Sequence, residues 1–484
     1  MKNNAQDYEL IATEVLALLR DYISTSQAGE GKVLDQIPAG ALAKKLRITE
    51  TIKKGDLEVN DVKNIVLPYL EHSQHMLHPH FVGHQVAVPH AAASIADVIH
   101  GVINNPMAIY EMGPSASVME RAMTNWLLKQ AGWFHHDDIC NFDHHSKSGA
   151  GVFTHGGSMA NLTALLSARA AIAPEAWSEG TPNDLVVLGS ELWHYSVARA
   201  ISIMGMGSKN FLPVDVDHNG VITLQGLKKA YQSAIDDGKR IMCVVANACT
   251  TATGLYDPID EMADFCNEKG IWFHVDGAHG AAALISPENK HLMKGVSKAD
   301  SLIWDMHKMM RTTTLSAVVL FKNPQHMAST FQQEGSYIFH DKEKLGFDVI
   351  SYALECTKSE LATKLFWVLA AEGEAGLSNY VTHQYAITKE FHDLVNDQPD
   401  FECPYYPESN ILCFRYIGEG QSDELQLKIR NKIVLDGYSY ITSCDLNGEK
   451  FLRFTIMNDL TTKKHIVKIL NDIRKLVLDL SPTL

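Results

Sequence analysis

Between residues 180 and 325, short apolar runs suited to buried strands recur at LVVL (185–188), IMCVVAN (241–247), IWFHVD (271–276), SLIWDM (301–306) and AVVLF (317–321). Segments with apolar residues at helical spacing, such as DPIDEMADFCNEKG, lie between several of them. Such alternation predicts a largely parallel sheet covered by helices on both faces. Upstream, YELIATEVLALLRDYI and the stretch around IVLPYL place apolar residues at helical spacing, so residues 1–70 are expected to be helical. Residues 86–130 predict two more helices, the second ending in ASVMERAMTNWLLKQAG. After TKLFWVLAAEG, the last hundred residues mix strands (ILCFRYI, KFLRFTI) with a closing helix, KKHIVKILNDIRKLVLDL. The expected division is an N-terminal helical segment over 1–90, a large α/β domain over 91–380 and a smaller α+β domain over 381–484. There is no internal repeat and no low-complexity linker.

Composition narrows the class without naming a substrate. The 484 residues are 46% apolar and 20% charged, ordinary for a globular chain able to bury a large core. A formal charge of −15 argues against partners that need a basic face, nucleic acid and anionic membrane alike. The start, MKNNAQDYELIATEV, lacks the basic-then-apolar pattern of a signal peptide, and no apolar run approaches transmembrane length. Eight cysteines are scattered without a C-x-x-C pair. Free thiols in a reducing cytoplasm are the simplest expectation.

The chemistry gathers at strand ends. In open α/β sheets ligands bind outside the carboxyl ends of the strands. Asp276 ends one predicted strand, His307 and Lys308 end the next, and Thr250 and Thr251 follow a third. A lysine ordinarily keeps its ammonium in water, so Lys308 at the end of a buried strand is either a snorkelling residue or an amine needed in a pocket, most often to form a Schiff base. In FTHGGSMANLTALLSAR (153–169) two glycines lead to Ser158, which could cap a helix and leave N–H groups free for an anion such as phosphate. A simple capped helix is the commoner meaning of that pattern. Asp276, in HVDGAHG, either caps a turn or faces a cationic cofactor nitrogen and keeps it protonated. His194, in ELWHYSVARA, is either a packed core histidine or a flat ring that stacks on an aromatic cofactor. Two clusters look like metal sites. DVDHNG (215–220) begins like a calcium loop, but its twelfth position is Gly226, so a turn is expected. HHDDICNFDHH (135–145) lacks a spacing that puts ligands on one face, so a surface loop is expected and metal binding is kept as the cofactor-free alternative.

Taken together, GGSMANLTALLSAR, IWFHVDGAHGAAAL and ADSLIWDMHKMM resemble the group II pyridoxal-phosphate-dependent amino acid decarboxylases, in order, from about residue 78 to the C-terminus. YEMGPSASVMERAMTNWLLKQAGW and FLRFTIMNDLTT are similar to the glutamate-like branch. The resemblance implies an aspartate-aminotransferase-like, fold-type-I architecture and a homodimer with active sites at its interface. It also implies roles. Lys308 would carry pyridoxal 5'-phosphate as an imine, Asp276 would pair with the pyridinium nitrogen, and His194 would stack on the ring. Gly157, Ser158 and His307 would hold the phosphate, with Ala278 also at the cofactor and Thr250 or Thr251 near its phenolic oxygen. Arg453 would grip the substrate α-carboxylate, and His84, in HPHFVGHQVAVP, would line the substrate pocket. The bland alternative for His84 is a helix cap or packing on Phe81.

The implied reaction is decarboxylation of an L-amino acid, with a lean toward an acidic or short polar substrate: glutamate, aspartate, cysteine sulfinate or 2,4-diaminobutyrate. An aromatic amino acid decarboxylase, or an aminotransferase or cysteine-desulfurase-type enzyme on the same fold, is the alternative. Three positions depart from the family pattern. Asp305 stands for the usual asparagine and Met306 for proline before His307-Lys308. Arg311, where glycine is frequent, is a candidate counter-charge for Asp305. The mobile-loop tyrosine that donates a proton aligns with Phe347, leaving Tyr337 and Tyr352 as candidates.

Overall fold

The computed structural model describes residues 4–133, 138, 149–331 and 346–480. The chain forms two compact units, Gln85–Thr388 with Pro407–Asn410, and Met1–His84 with Lys389–Tyr406 and Ile411–Leu484.

The larger unit is built on a seven-stranded sheet: β1 (Ala150–Thr154), β2 (Leu185–Ser190), β3 (Phe211–Val214), β4 (Arg240–Asn247), β5 (Trp272–Asp276), β6 (Ser301–Asp305) and β7 (Ala317–Phe321). Its order is β1-β7-β6-β5-β4-β2-β3, parallel throughout except for β7, which runs antiparallel to both neighbours. All five apolar runs are strands, with Val187, Val244, Phe273, Ile303 and Val319 buried in the sheet. The two strands without a sequence signal, AGVFT and FLPV, are the edges. Pro213 is tolerable there, because an edge strand leaves one row of backbone groups unpaired. The reversal into β7 begins at the carboxyl end of β6, so residues 306–316 form a connection one strand over from Asp276. The expected helices at 86–130 are Ala91–Ile103 and Pro114–Gln130.

The smaller unit carries an antiparallel sheet of β8 (Phe401–Glu402), β9 (Ile411–Tyr416), β10 (Thr442–Leu446) and β11 (Glu449–Thr455), ordered β10-β11-β9-β8. Asn447 and Gly448 join β10 to β11 with positive φ at both positions (53° and 80°), the geometry that matches the twist of a two-residue hairpin. Helices Ala5–Gln27, Val59–Glu71 and Lys463–Leu480 also belong to this unit. Among the described residues no helix is long and apolar enough to cross a membrane.

Candidate active site

Asp276 closes β5 and is buried. One carboxylate oxygen accepts the Ala278 N–H at 3.2 Å, which is the turn-capping role. The other accepts the side-chain N–H of Asn161 at 2.9 Å. Asn161 lies on helix Gly157–Ile172, so that helix is tied directly to the end of β5. The backbone N–H of Ala248 bonds to the Asp276 carbonyl at 2.8 Å, bringing the loop after β4 to the same point. In that loop Thr250 is buried, with its hydroxyl against that of Thr253, while Thr251 is half-buried.

The connection after β6 carries the second group. Lys308 Nζ lies 3.2 Å from Asp305 Oδ2, and His307 Nε2 lies 3.6 Å from the same oxygen. His307 Nδ1 donates to the Ser316 carbonyl at 2.7 Å, which fixes the ring and turns Nε2 toward Asp305. Asp305 faces the start of helix Gly157–Ile172, where a Cβ added at Gly157 would come within 2.9 Å of both carboxylate oxygens. Gly156, at φ +94°, is the N-cap of that helix. Ser158 is therefore not the cap expected from the sequence but the second helical residue. Capping falls to glycine because the chain needs a left-handed turn there that serine resists. Arg311 does not serve as counter-charge to Asp305. Among the described residues the ion-pair partners of Asp305 are Lys308 and His307, whereas Arg311 pairs with Glu372 at 3.4 Å and lies over the Tyr380 ring. Its φ of +58° explains why glycine suits that position.

His194 caps helix Tyr195–Ile203, its Nδ1 2.6 Å from the Ser196 hydroxyl. Burial pushes the ring below the ordinary imidazole range, with the charges of Asp276 and Asp305 opposing and that of Lys308 reinforcing. The ring thus stands in the field of all three strand-end groups as a neutral, flat surface. Asp276, Lys308, His194, Gly157, Ser158, Ala278 and His307 are brought together from β5, β6 and two helix starts.

In the smaller unit Arg453 lies on β11, between Cys413 on β9 and Thr442 on β10. It is buried. Its Nη1 donates to Thr442 Oγ1 at 3.2 Å, while Nε and Nη2 have no acceptor among the described residues. His84 neither caps a helix nor packs on Phe81. Its Nε2 pairs with the Tyr440 hydroxyl at 2.8 Å, and Tyr440 itself stacks on Phe81 with ring centroids 5.6 Å apart.

Other sequence candidates fall elsewhere. Tyr352 lines a cavity of about 290 Å³ whose walls include Arg121, Thr124, Met327 and Phe347 but neither Lys308 nor Asp276. Tyr337 lies outside the described residues, as does all of 135–145 except Asp138. DVDHNG is a turn: Asp217 Oδ1 accepts the N–H groups of Asn219 and Val221.

The residues present fit a phosphorylated pyridoxal. The first N–H groups of helix Gly157–Ile172 have no intrahelical acceptor, and only a hydrogen on Gly157 leaves room before Asp305. A primary amine, Lys308, and a buried carboxylate, Asp276, stand at adjacent strand ends, while Asp305, whose Oδ1 has no partner among the described residues, adds a negative charge that disfavours the phosphate. That combination defines a fold-type-I pyridoxal-phosphate enzyme. Residues 45–417 match the model of the pyridoxal-dependent decarboxylase conserved domain, and the chain belongs to that family. It is a pyridoxal-phosphate-dependent amino acid decarboxylase. The chain is 28% identical over 415 residues to an aromatic-L-amino-acid decarboxylase of Bacillus atrophaeus, covering 84% of this chain and 83% of that one. It is 28% identical over 345 residues to the acidic amino acid decarboxylase GADL1 of Mus musculus, covering 70% of this chain and 60% of that one. The fold superposes on that of Oryza sativa TDC with PLP and tryptamine at a TM-score of 0.89, with 22% identity and 99% of each chain covered.

Proposed function

We propose that this decarboxylase acts on an acidic or short polar L-amino acid. When bound, the cofactor supplies an electron sink for the pair left behind as carbon dioxide departs. In this reading Lys308 holds the cofactor through its amine, and Asp276 keeps the ring nitrogen cationic. His194 stacks on the ring, and Ala278 and Thr250 or Thr251 flank it. Gly157, Ser158 and His307 hold the phosphate. Arg453 receives the substrate α-carboxylate, which a guanidinium can bind with two parallel hydrogen bonds.

The observation that carries the substrate lean is the charge around His84. Burial, then the positive charges of Arg453 and Arg430, hold its imidazole below the ordinary range. A second anionic or polar group is welcome in such a field, while the Arg453 N–H groups that have no partner among the described residues are left for the α-carboxylate. The decisive experiment incubates the holoenzyme with acidic, diamino and aromatic L-amino acids while carbon dioxide, amine and keto acid are followed. Carbon dioxide and amine from an acidic or short polar substrate are expected. A clear preference for tyrosine or tryptophan overturns the lean, and keto acid without carbon dioxide overturns the assigned reaction. Borohydride reduction followed by peptide mapping should place the pyridoxyl group on Lys308; a label on another lysine overturns the site.

We also propose a homodimer acting in the cytoplasm. Helix Ala91–Ile103 supports it by exposing Ile95, Val98, Ile99, Val102 and Ile103, an apolar face that water penalises in a lone chain.

A further inference from the structure

We propose that Asn161 is a positioning residue that aims both Asp276 and His194 at the cofactor ring, at the head of a one-way hydrogen-bond chain running in from Trp272. The inference rests on the proposed roles of Asp276, His194 and Lys308.

Seven residues are joined by six hydrogen bonds. Trp272 Nε1 donates to Ser301 Oγ at 2.9 Å, and Ser301 Oγ meets His274 Nδ1 at 2.8 Å. His274 Nε2 meets Asn161 Oδ1 at 2.9 Å. The Asn161 amide nitrogen then donates twice at 2.9 Å, to Asp276 Oδ2 and to Ser196 Oγ. Ser196 Oγ in turn meets His194 Nδ1.

Every direction is fixed by chemistry. An ionised carboxylate only accepts, so the Asn161 NH2 faces Asp276 and its carbonyl faces His274. His274 Nε2 must then carry the hydrogen. Burial holds His274 neutral, with a pKa of about 4, so its Nδ1 accepts the Ser301 proton. Ser301 receives in exchange the indole N–H, which can only donate. Each bond therefore polarises the next toward Asp276, and hydrogen bonds to the ionised form favour it. In the reading proposed above, donation to the Asp276 carboxylate favours a shared proton on the ring nitrogen over one on the carboxylate.

The sheet makes this arrangement rigid. His274 and Asp276 are two apart on β5 and point to the same face, and Ser301 on β6 is the register partner of His274. Asn161 is one helical turn beyond Gly157, on the same face of its helix. Asn161, His274 and Ser301 are at most 1% exposed, so no water competes for these bonds.

The test uses apo-protein reconstituted with pyridoxal phosphate carrying nitrogen-15 in the ring. In the wild type the ring-nitrogen resonance should be that of the protonated form across pH 6–9. Asn161→Leu should move it toward the unprotonated form and weaken cofactor binding about tenfold to a hundredfold, the loss of a charge-assisted hydrogen bond. Ser301→Ala, which removes one oxygen two bonds upstream, should shift both in the same direction by about threefold. A packing defect alone would leave the resonance protonated. Resonance and affinity unchanged in Asn161→Leu overturn the inference; should that variant not fold, an unchanged Ser301→Ala does so. An unprotonated ring in the wild type overturns instead the role given to Asp276.

Discussion

Asp276 and Asp305 are carboxylates of one site with opposite surroundings. Asp276 accepts one N–H on each oxygen, whereas Asp305 has one oxygen beside Lys308 and the other without a partner among the described residues. Removing the charge should therefore have opposite consequences. Asp276→Asn should still take up the cofactor but release carbon dioxide about a hundredfold more slowly, a few kcal/mol of transition-state stabilisation. Near wild-type turnover would remove Asp276 from its role. Asp305→Asn relieves repulsion between a buried anion and the phosphate, so the cofactor dissociation constant should fall about tenfold, roughly 1.4 kcal/mol. The same change takes an anion from a helix N-terminus and from Lys308, so the cofactor-free protein should melt at a lower temperature. Fluorescence titration and a thermal melt read the two effects separately.

At the scale of elements, the site depends on loops held to strand ends by backbone. Gly280 donates its N–H to Ala248, and Ala248 donates to Asp276, so three segments meet at one point. A Cβ at Gly280 would lie 2.6 Å from Cys249 N and 2.7 Å from the carbonyl carbon of Ala248. Those are backbone atoms and cannot turn away. Gly280→Ala should cost about 1–3 kcal/mol of stability and loosen the cofactor by displacing the loop that carries Thr250. A melting temperature and cofactor affinity equal to wild type would show that the loop is less constrained than its contacts imply.

At the scale of the molecule, acid and association are the accessible tests. His274, His78 and His80 are each held near pKa 4 chiefly by burial, against an ordinary value of 6.5. Unfolding lets them take up protons between pH 6.5 and 4, so stability falls on acidification through that window, by a few kcal/mol per fully buried ring. Asp257, raised to about 6 by burial, opposes this, because its folded form holds a proton that the unfolded form gives up. Asp300, also raised by burial, opposes it in the same direction, and the three histidines still leave a net loss, read as a melting temperature that drops from pH 7 to pH 4.5. The exposed face of helix Ala91–Ile103 predicts a particle of twice the 53.6 kDa chain mass in light scattering. Val102→Asp should shift it toward the single chain, and an unchanged mass would place the subunit contact elsewhere.

The central strands were legible along the chain, because a strand buried on both faces must be continuously apolar, and five such runs are β2, β4, β5, β6 and β7. The sequence also marked Asp276, His307 and Lys308, since polar groups at the ends of buried runs have few bland explanations. The edge strands β1 and β3 left little trace, because each is only four or five residues long, with Gly151 and Thr154 breaking the apolar run of β1 and Pro213 that of β3. Which side chain meets which emerged with folding. Asn161 is an ordinary residue within GGSMANL until the helix sets it between Asp276, His274 and Ser196. Arg311 looked like the counter-charge for Asp305 by proximity in sequence, yet its left-handed backbone turns it to Glu372. Partner choice is a matter of direction in space, and residue order along a chain carries little of that.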